Sequence, residues 1–173
     1  MLSNFMRKKR QAGVGIVDAM LGIAVGAVIL TAAFVGYKSS STNSKNQAIE
    51  TAVQNLVEGI QSKWSGLGSY SGISAAGVNN AGVVIKPLTY NGTNILMADG
   101  STLAVASATP FTTFTTTFAA PAGGTCAQIL SNMAADITDA TVAGVDVFTS
   151  GALDPAKVNT NCVDLATIVL TSH

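Results

Sequence analysis

One acidic side chain, Asp18, interrupts a stretch of 24 residues, 14–37, that carries no other charge. An ionised side chain costs about 2.5–3.5 kcal/mol at the centre of a bilayer and less near its interface. A charged side chain with this cost must have a role that compensates for it. We therefore take Asp18 as the first candidate functional residue.

The uncharged stretch is long enough to cross a membrane as a helix. At about 1.5 Å per residue, 24 residues span a hydrocarbon core of roughly 30 Å. Four of the nine basic residues precede the stretch, and the chain from Val14 onward has five lysines against nine acids, a net charge of −4. The positive-inside rule then predicts a cytoplasmic N-terminus and an exported remainder. A mildly acidic, lysine-poor remainder also argues against nucleic acid as a partner.

Catalytic motifs are missing from the sequence. The single histidine is the last residue, His173, so it forms no triad, and neither GxSxG nor a phosphate-binding loop is present. Asp136 and Asp139 lie three apart on what we predict to be a helix or its end, where such a pair is typically solvated surface. A calcium site could draw only on Asp154, Asn159, Asn161 and Asp164. The spacing of these four residues matches no calcium-binding loop motif. We expect no enzyme activity, no metal and no cofactor.

The chain has two cysteines, Cys126 and Cys162, both in the predicted exported part. An isolated pair in an oxidising compartment is most simply a disulfide, and the chain has neither a CxxC motif nor zinc ligands. Closing a loop of about 37 residues would stabilise the fold by roughly 4 kcal/mol in the chain-entropy model.

Two ordinary explanations of the N-terminus leave features unexplained. A secretory signal has an apolar region of 7–15 residues before its cleavage site, whereas this apolar run continues to Lys38, and Ala32 and Ala33 form a poor site. A plain membrane anchor accounts for the length and the flanks. It does not account for Asp18 or for Gly13 directly before the run.

The N-terminus resembles the prepilin signature of type IV pilins and pseudopilins. That signature consists of basic residues, then Gly13, an apolar residue, an acid and about twenty apolar residues. The resemblance implies cleavage by prepilin peptidase between Gly13 and Val14 and methylation of the new amine of Val14. A valine there and the C-terminal cysteine pair resemble type IVb prepilins, including PilS-like thin-pilus and toxin-coregulated-pilus-like major pilins. The family position of Asp18 usually holds glutamate, and the resemblance implies that Asp18 pairs with the N-terminal amine of a neighbouring subunit. Alternatively, Asp18 lies near a helix N-terminus, where the macrodipole favours an acid.

We expect the α+β fold of a type IV pilin, in which a long N-terminal helix packs on an antiparallel sheet closed by a C-terminal disulfide. The predicted parts are a cleaved leader (1–13), an apolar transmembrane and filament-core helix (14–37), an amphipathic continuation (38–65) and a globular α+β domain (66–173). The helix should cover roughly fifty residues, because its second half places apolar residues on one face at helical spacing, from Ile49 to Trp64. Residues 39–42 are predicted either to continue it or to break it locally.

The following residues are mainly predicted to form strands and turns. Residues 69–82 should be a loop, and residues 83–85 a short β-branched run. A type I′ hairpin is predicted at Asn91-Gly92 and a second turn at Asp99-Gly100. Three strands are predicted, at residues 111–118, 145–148 and 165–170. A helix should start at Cys126, with Thr125 and Gln128 forming a capping box.

Three functions fit these features. The first is a structural subunit that self-associates into an extracellular type IVb pilus used for adhesion, aggregation or conjugation. Its partners would be the peptidase, the inner membrane, the pilus assembly machinery, and a host or recipient cell surface. The second is a minor pilin or a secretion-system pseudopilin. The third is an uncleaved membrane-anchored periplasmic binding module.

Overall fold

The computed structural model describes residues 15–121 and 125–173. The chain divides into two compact units, Met1–Ser41 and Thr42–His173. We call the second unit the head.

Helix α1 covers Ile16–Trp64, 49 residues, and confirms the predicted long helix. It is continuous through residues 39–42, where four hydroxyl residues occur without the proline or glycine that would break a helix. Within the head, one face of α1 is fully buried, as the spacing predicted. That face carries Ile49, Ala52, Val53, Leu56, Val57 and Ile60. A 3₁₀ turn, Ser65–Leu67, ends the helix, and Gly68 caps it at φ 66°.

The head packs this face of α1 on an antiparallel sheet, which makes the fold α+β as predicted. Among the described residues, the strands are β1 Thr89–Tyr90, β2 Ile95–Leu96, β3 Thr102–Ala108, β4 Thr113–Ala119, β5 Asp139–Val142, β6 Val145–Asp146, β7 Phe148–Thr149, β8 Ala152–Leu153 and β9 Thr167–Ser172. Seven of them form one sheet in the order β1-β2-β3-β4-β9-β5-β6, and β7 and β8 form a separate hairpin. The head helices are α2 Ala75–Asn80, α3 Thr125–Met133 and α4 Pro155–Asn161.

Buried and more exposed residues alternate along the central strands, and the buried ones form the core. In β4, Phe114, Thr116 and Phe118 are buried, while the residues between them are half-exposed. The neighbouring strands alternate in the same way, so one face of the sheet is apolar and meets α1. The other face of β4 and β9 consists mainly of threonine, alanine and valine.

Some predicted elements were wrong in type. Residues 69–82 are not all loop, because α2 begins there, with the Ser74 hydroxyl accepting a hydrogen bond from the Gly77 amide. Residues 83–85 follow α2 outside any strand. The hairpin at Asn91 is present, but Asn91 does not take the positive φ that a type I′ turn requires. Its side-chain oxygen instead accepts from the amides of Thr93 and Asn94 at 3.0 and 2.8 Å, an Asx turn.

Other predicted elements were displaced. The strand predicted at 111–118 begins two residues later, because Phe111 has φ 73° in the preceding turn. The strand predicted at 165–170 also begins two residues later, because Leu165 has φ 63°. The strand predicted at 145–148 is divided between β6 and β7, which belong to different sheets. Asp139 lies in β5 rather than on a helix.

Candidate functional site

The first half of α1 exposes an unusually large apolar surface. Ten large apolar side chains are more than half exposed: Met20, Leu21, Ile23, Val25, Val28, Ile29, Leu30, Phe34, Val35 and Tyr37. Residues 20–37 contain no charged side chain. Contiguous apolar surface on this scale marks a membrane or protein contact, because leaving it in water is unfavourable.

The polar groups of this half-helix suit an environment without water. The hydroxyl of Thr31 donates to the carbonyl of Ala27 at 2.8 Å, so the side chain is satisfied within the helix. A helix also satisfies its own backbone, as a membrane-spanning segment must. By length and composition, α1 is a helix that could cross a membrane.

Of the predicted processing and assembly residues, only the backbone of Asp18 belongs to the described part of the chain. Gly13 and Val14 fall outside the described residues, and so does the side chain of Asp18. The backbone of Asp18 belongs to the first turn of α1. This position agrees with the helix-dipole interpretation and equally with pairing to an N-terminal amine.

The predicted disulfide is formed between Cys126 and Cys162, which lie 36 positions apart, with an Sγ–Sγ distance of 1.93 Å. Cys126 is in the first turn of α3, and Cys162 follows the last residue of α4. The bond therefore links the first turn of α3 to the segment leading into β9.

Two polar contacts that the sequence did not predict join α3 to α1. The side-chain amide of Asn46 donates to the hydroxyl of Thr125, and both residues are more than nine-tenths buried. Further along α3, the side-chain amide of Asn132 donates to a carboxylate oxygen of Glu50 on α1. Thr125 is the first described residue of α3, so the capping box at Thr125 and Gln128 stays a prediction. These contacts and the disulfide connect α1, α3 and α4.

Two of the four residues considered for calcium, Asp154 and Asn161, form hydrogen bonds within the local fold. One oxygen of Asp154 accepts from the amides of Ala156 and Lys157, at 3.0 and 3.3 Å, and so caps α4. These bonds, that from Lys157 above all, lower the pKa of Asp154. The side chain of Asn161 donates to the carbonyl of Lys157 at 2.8 Å. Within residues 15–121 and 125–173, no group of three or more histidine, cysteine or acidic residues could hold a metal ion.

Comparison with known proteins places the head in a family. The family model described as PilS N terminal matches residues 43–173, about three quarters of the chain. Among curated proteins, none matches the chain.

Proposed function

Since this chain belongs to the PilS family of pilins, we propose that it is a structural subunit of an extracellular type IVb pilus. Prepilin peptidase cleaves it between Gly13 and Val14 and methylates the amine of Val14. The inner-membrane assembly machinery then adds it to a filament used for adhesion, aggregation or conjugation.

The exposed apolar half of α1 carries this proposal. Its ten large apolar side chains need a cover. Before assembly, the bilayer supplies it, with the N-terminus in the cytoplasm as the four basic residues of the leader predict. After assembly, the same half-helices of neighbouring copies cover one another. The apolar surface of α1 is thus covered first by lipid and then by other copies of the chain.

Composition supports packing between copies. Charged residues make up 10% of the chain, whereas average soluble proteins have about 25%. Lysine and glutamate are depleted at protein interfaces, because burying them costs desolvation energy and side-chain entropy. A subunit that is surrounded by copies of itself benefits from this composition.

Mass spectrometry of the mature N-terminus tests the proposal. We expect filaments to contain a chain that begins with methylated Val14, and a Gly13→Ala variant to accumulate in the membrane with its leader attached. A parallel Ala12→Ser variant controls for changes beside the site and should be processed. An intact leader on the mature membrane protein would contradict the proposal and favour the anchored binding module. Filaments in which this chain is a trace component would instead favour a minor pilin or pseudopilin.

A further inference from the structure

The tip of the hairpin between β1 and β2 exposes an asparagine that is followed by glycine. Residues 91–94 connect the two strands, read Asn-Gly-Thr-Asn, and are exposed along their whole length. Asn91 is the only asparagine of the sequence that a glycine follows. Because glycine has no Cβ atom, the backbone nitrogen next to the side chain of Asn91 is unshielded.

An asparagine in this setting loses its side-chain amide by a reaction that needs no enzyme. The backbone nitrogen of Gly92 gives up its proton to solvent base and forms a bond to Cγ of Asn91. The bond from Cγ to Nδ2 then breaks, and the side-chain nitrogen takes up a proton and leaves as ammonia. Water opens the resulting cyclic imide at either carbonyl and gives aspartate or isoaspartate at position 91, with nothing oxidised or reduced. The first step joins neighbouring residues, so it is intramolecular and needs no encounter between molecules.

The turn places two hydrogen-bond donors on the oxygen that becomes negatively charged in this reaction. Attack on Cγ moves negative charge onto Oδ1 of Asn91. The backbone amides of Thr93 and Asn94 already donate to that oxygen, at 3.0 and 2.8 Å. Such bonds strengthen when their acceptor becomes charged, which is how an oxyanion hole lowers the barrier to attack on a carbonyl. The Asx turn is therefore arranged as a small oxyanion hole.

The attacking nitrogen is not held by another contact. Within residues 15–121 and 125–173, no acceptor receives a hydrogen bond from the amide of Gly92. The groups around it are fixed, because the hydroxyl of Tyr90 donates to the carbonyl of Gly92 at 2.7 Å and the amide of Asn91 donates to the carbonyl of Asn94 at 3.1 Å. Gly92 has φ 97°, which glycine adopts without strain. The hydrogen bonds of its neighbours thus hold the turn while the nitrogen itself is available to react.

We propose that this hairpin tip is a self-modification site, at which the turn of residues 91–94 promotes the conversion of Asn91 to aspartate or isoaspartate. The aspartate product suits the turn, because its carboxylate accepts the same two amides in charge-assisted bonds. Each conversion adds one negative charge at an exposed position of a chain whose formal net charge is 0. The reaction needs neither cleavage of the leader nor assembly, so the inference is independent of the proposed function.

Two other exposed asparagines lack this combination and serve as internal controls. Asn94 precedes Ile95, whose β-branched side chain shields the nitrogen that would attack. Asn159 lies within α4, where helical hydrogen bonds constrain the backbone. Neither should react on the timescale of Asn91.

Peptide mass spectrometry of the full chain, kept in detergent at mildly alkaline pH, follows the reaction over time. We expect the peptide with Asn91 to gain the mass difference between water and ammonia, and fragment ions to place the change at Asn91 rather than Asn94. The folded chain should convert about tenfold faster than the chain unfolded in guanidinium chloride, a smaller factor than a buried oxyanion hole gives, because this turn is open to water. A folded rate equal to or below the unfolded rate would overturn the inference.

Two glycine variants test which nitrogen attacks. Gly92→Ala adds a methyl group beside the attacking nitrogen and should slow the conversion of Asn91 at least about tenfold, which corresponds to about 1.4 kcal/mol of activation free energy. Gly100→Ala is the matched control, because it makes the same change at a positive φ of 85° in the next turn and should leave the rate at Asn91 unaltered. An unchanged rate in Gly92→Ala would show that another group displaces the amide and would overturn the inference.

Discussion

The side-chain amide of Asn46 on α1 donates a hydrogen bond to the buried hydroxyl of Thr125, 79 positions later in the sequence. Replacing either residue by an apolar one leaves a polar group buried without this partner. We expect Asn46→Leu to lower the free energy of unfolding of the head by about 1–3 kcal/mol. Thermal and urea unfolding of the full chain in detergent would measure the loss.

A double-mutant cycle separates this bond from general packing effects. Thr125→Val should cost a similar amount, and Asn46→Leu with Thr125→Val should cost less than the sum of the two, because the double variant buries neither group unpaired. Strictly additive losses would show that the two side chains do not stabilise each other.

The disulfide should contribute much of the stability of the head. Cys126 and Cys162 close a loop with a sequence separation of 36, for which the chain-entropy model predicts about 4 kcal/mol. We expect the Cys126→Ala, Cys162→Ala double variant to lose roughly that amount in chemical denaturation. Reduction of the unaltered protein should produce an equal loss, while the double variant should not respond to reductant. An unchanged unfolding midpoint after complete reduction would contradict the prediction.

Gly59 allows α1 to approach the segment after α2. A Cβ atom at Gly59 would lie 2.5 Å from Cγ1 of buried Val83. Alanine normally favours a helix over glycine by about 1 kcal/mol, but the overlap should outweigh this gain. We therefore expect Gly59→Ala to destabilise the head by about 1–3 kcal/mol.

Two variants test the cause of that loss. Gly66→Ala, where a Cβ atom would meet nothing within 4 Å, should be close to neutral. Val83→Ala should partly rescue Gly59→Ala, because it removes the overlapping methyl group. Stabilisation by Gly59→Ala would show that the helix can move away from Val83 at little cost.

The hydroxyl of Thr116 is buried in β4 without a hydrogen-bond partner among the described residues. Valine has nearly the same shape and no polar group to desolvate. We expect Thr116→Val to raise the free energy of unfolding by about 1 kcal/mol, measured by urea denaturation. Thr117→Val, on the half-exposed face of the same strand, is the control and should have a smaller effect. A loss of stability in Thr116→Val would indicate that its hydroxyl is satisfied.

Periodicity predicted much of this fold, because the chain follows its local pattern wherever one face is buried. The apolar spacing from Ile49 to Trp64 predicted the helix in the head. The disulfide followed from the presence of only two cysteines. Turns were predicted less well, because side-chain hydrogen bonds decide them. The Asx turn at Asn91 and the Ser74 cap of α2 are examples.

Strand ends and long-range contacts depend on tertiary structure that no local pattern shows. The left-handed backbones of Phe111 and Leu165 shortened two predicted strands, although β-propensity is high on both sides. The hairpin between β5 and β6 was missed. Its turn residues Ala143 and Gly144 both have positive φ, and Ala-Gly is a weaker signal than Asn-Gly. For the candidate site, the resemblance of the N-terminus to the prepilin signature indicated Gly13, Val14 and Asp18, whose roles stay predictions.

Substitution of Asp18 tests how subunits join the proposed filament. If its carboxylate attracts the amine of an incoming or neighbouring subunit, Asp18→Ala should reduce filament yield at least about tenfold, because it removes one partner of a charge pair in an apolar setting. Membrane insertion and removal of the leader should continue, since the apolar helix and Gly13 are unchanged. Asp18→Glu is the matched control. It keeps the charge on a side chain one methylene longer and should support assembly, whereas Asp18→Asn should behave like Asp18→Ala. Electron microscopy and immunoblots of sheared filaments and membranes measure both steps. Normal filaments from Asp18→Ala would leave only a local role at the start of α1, where the helix dipole favours an acid.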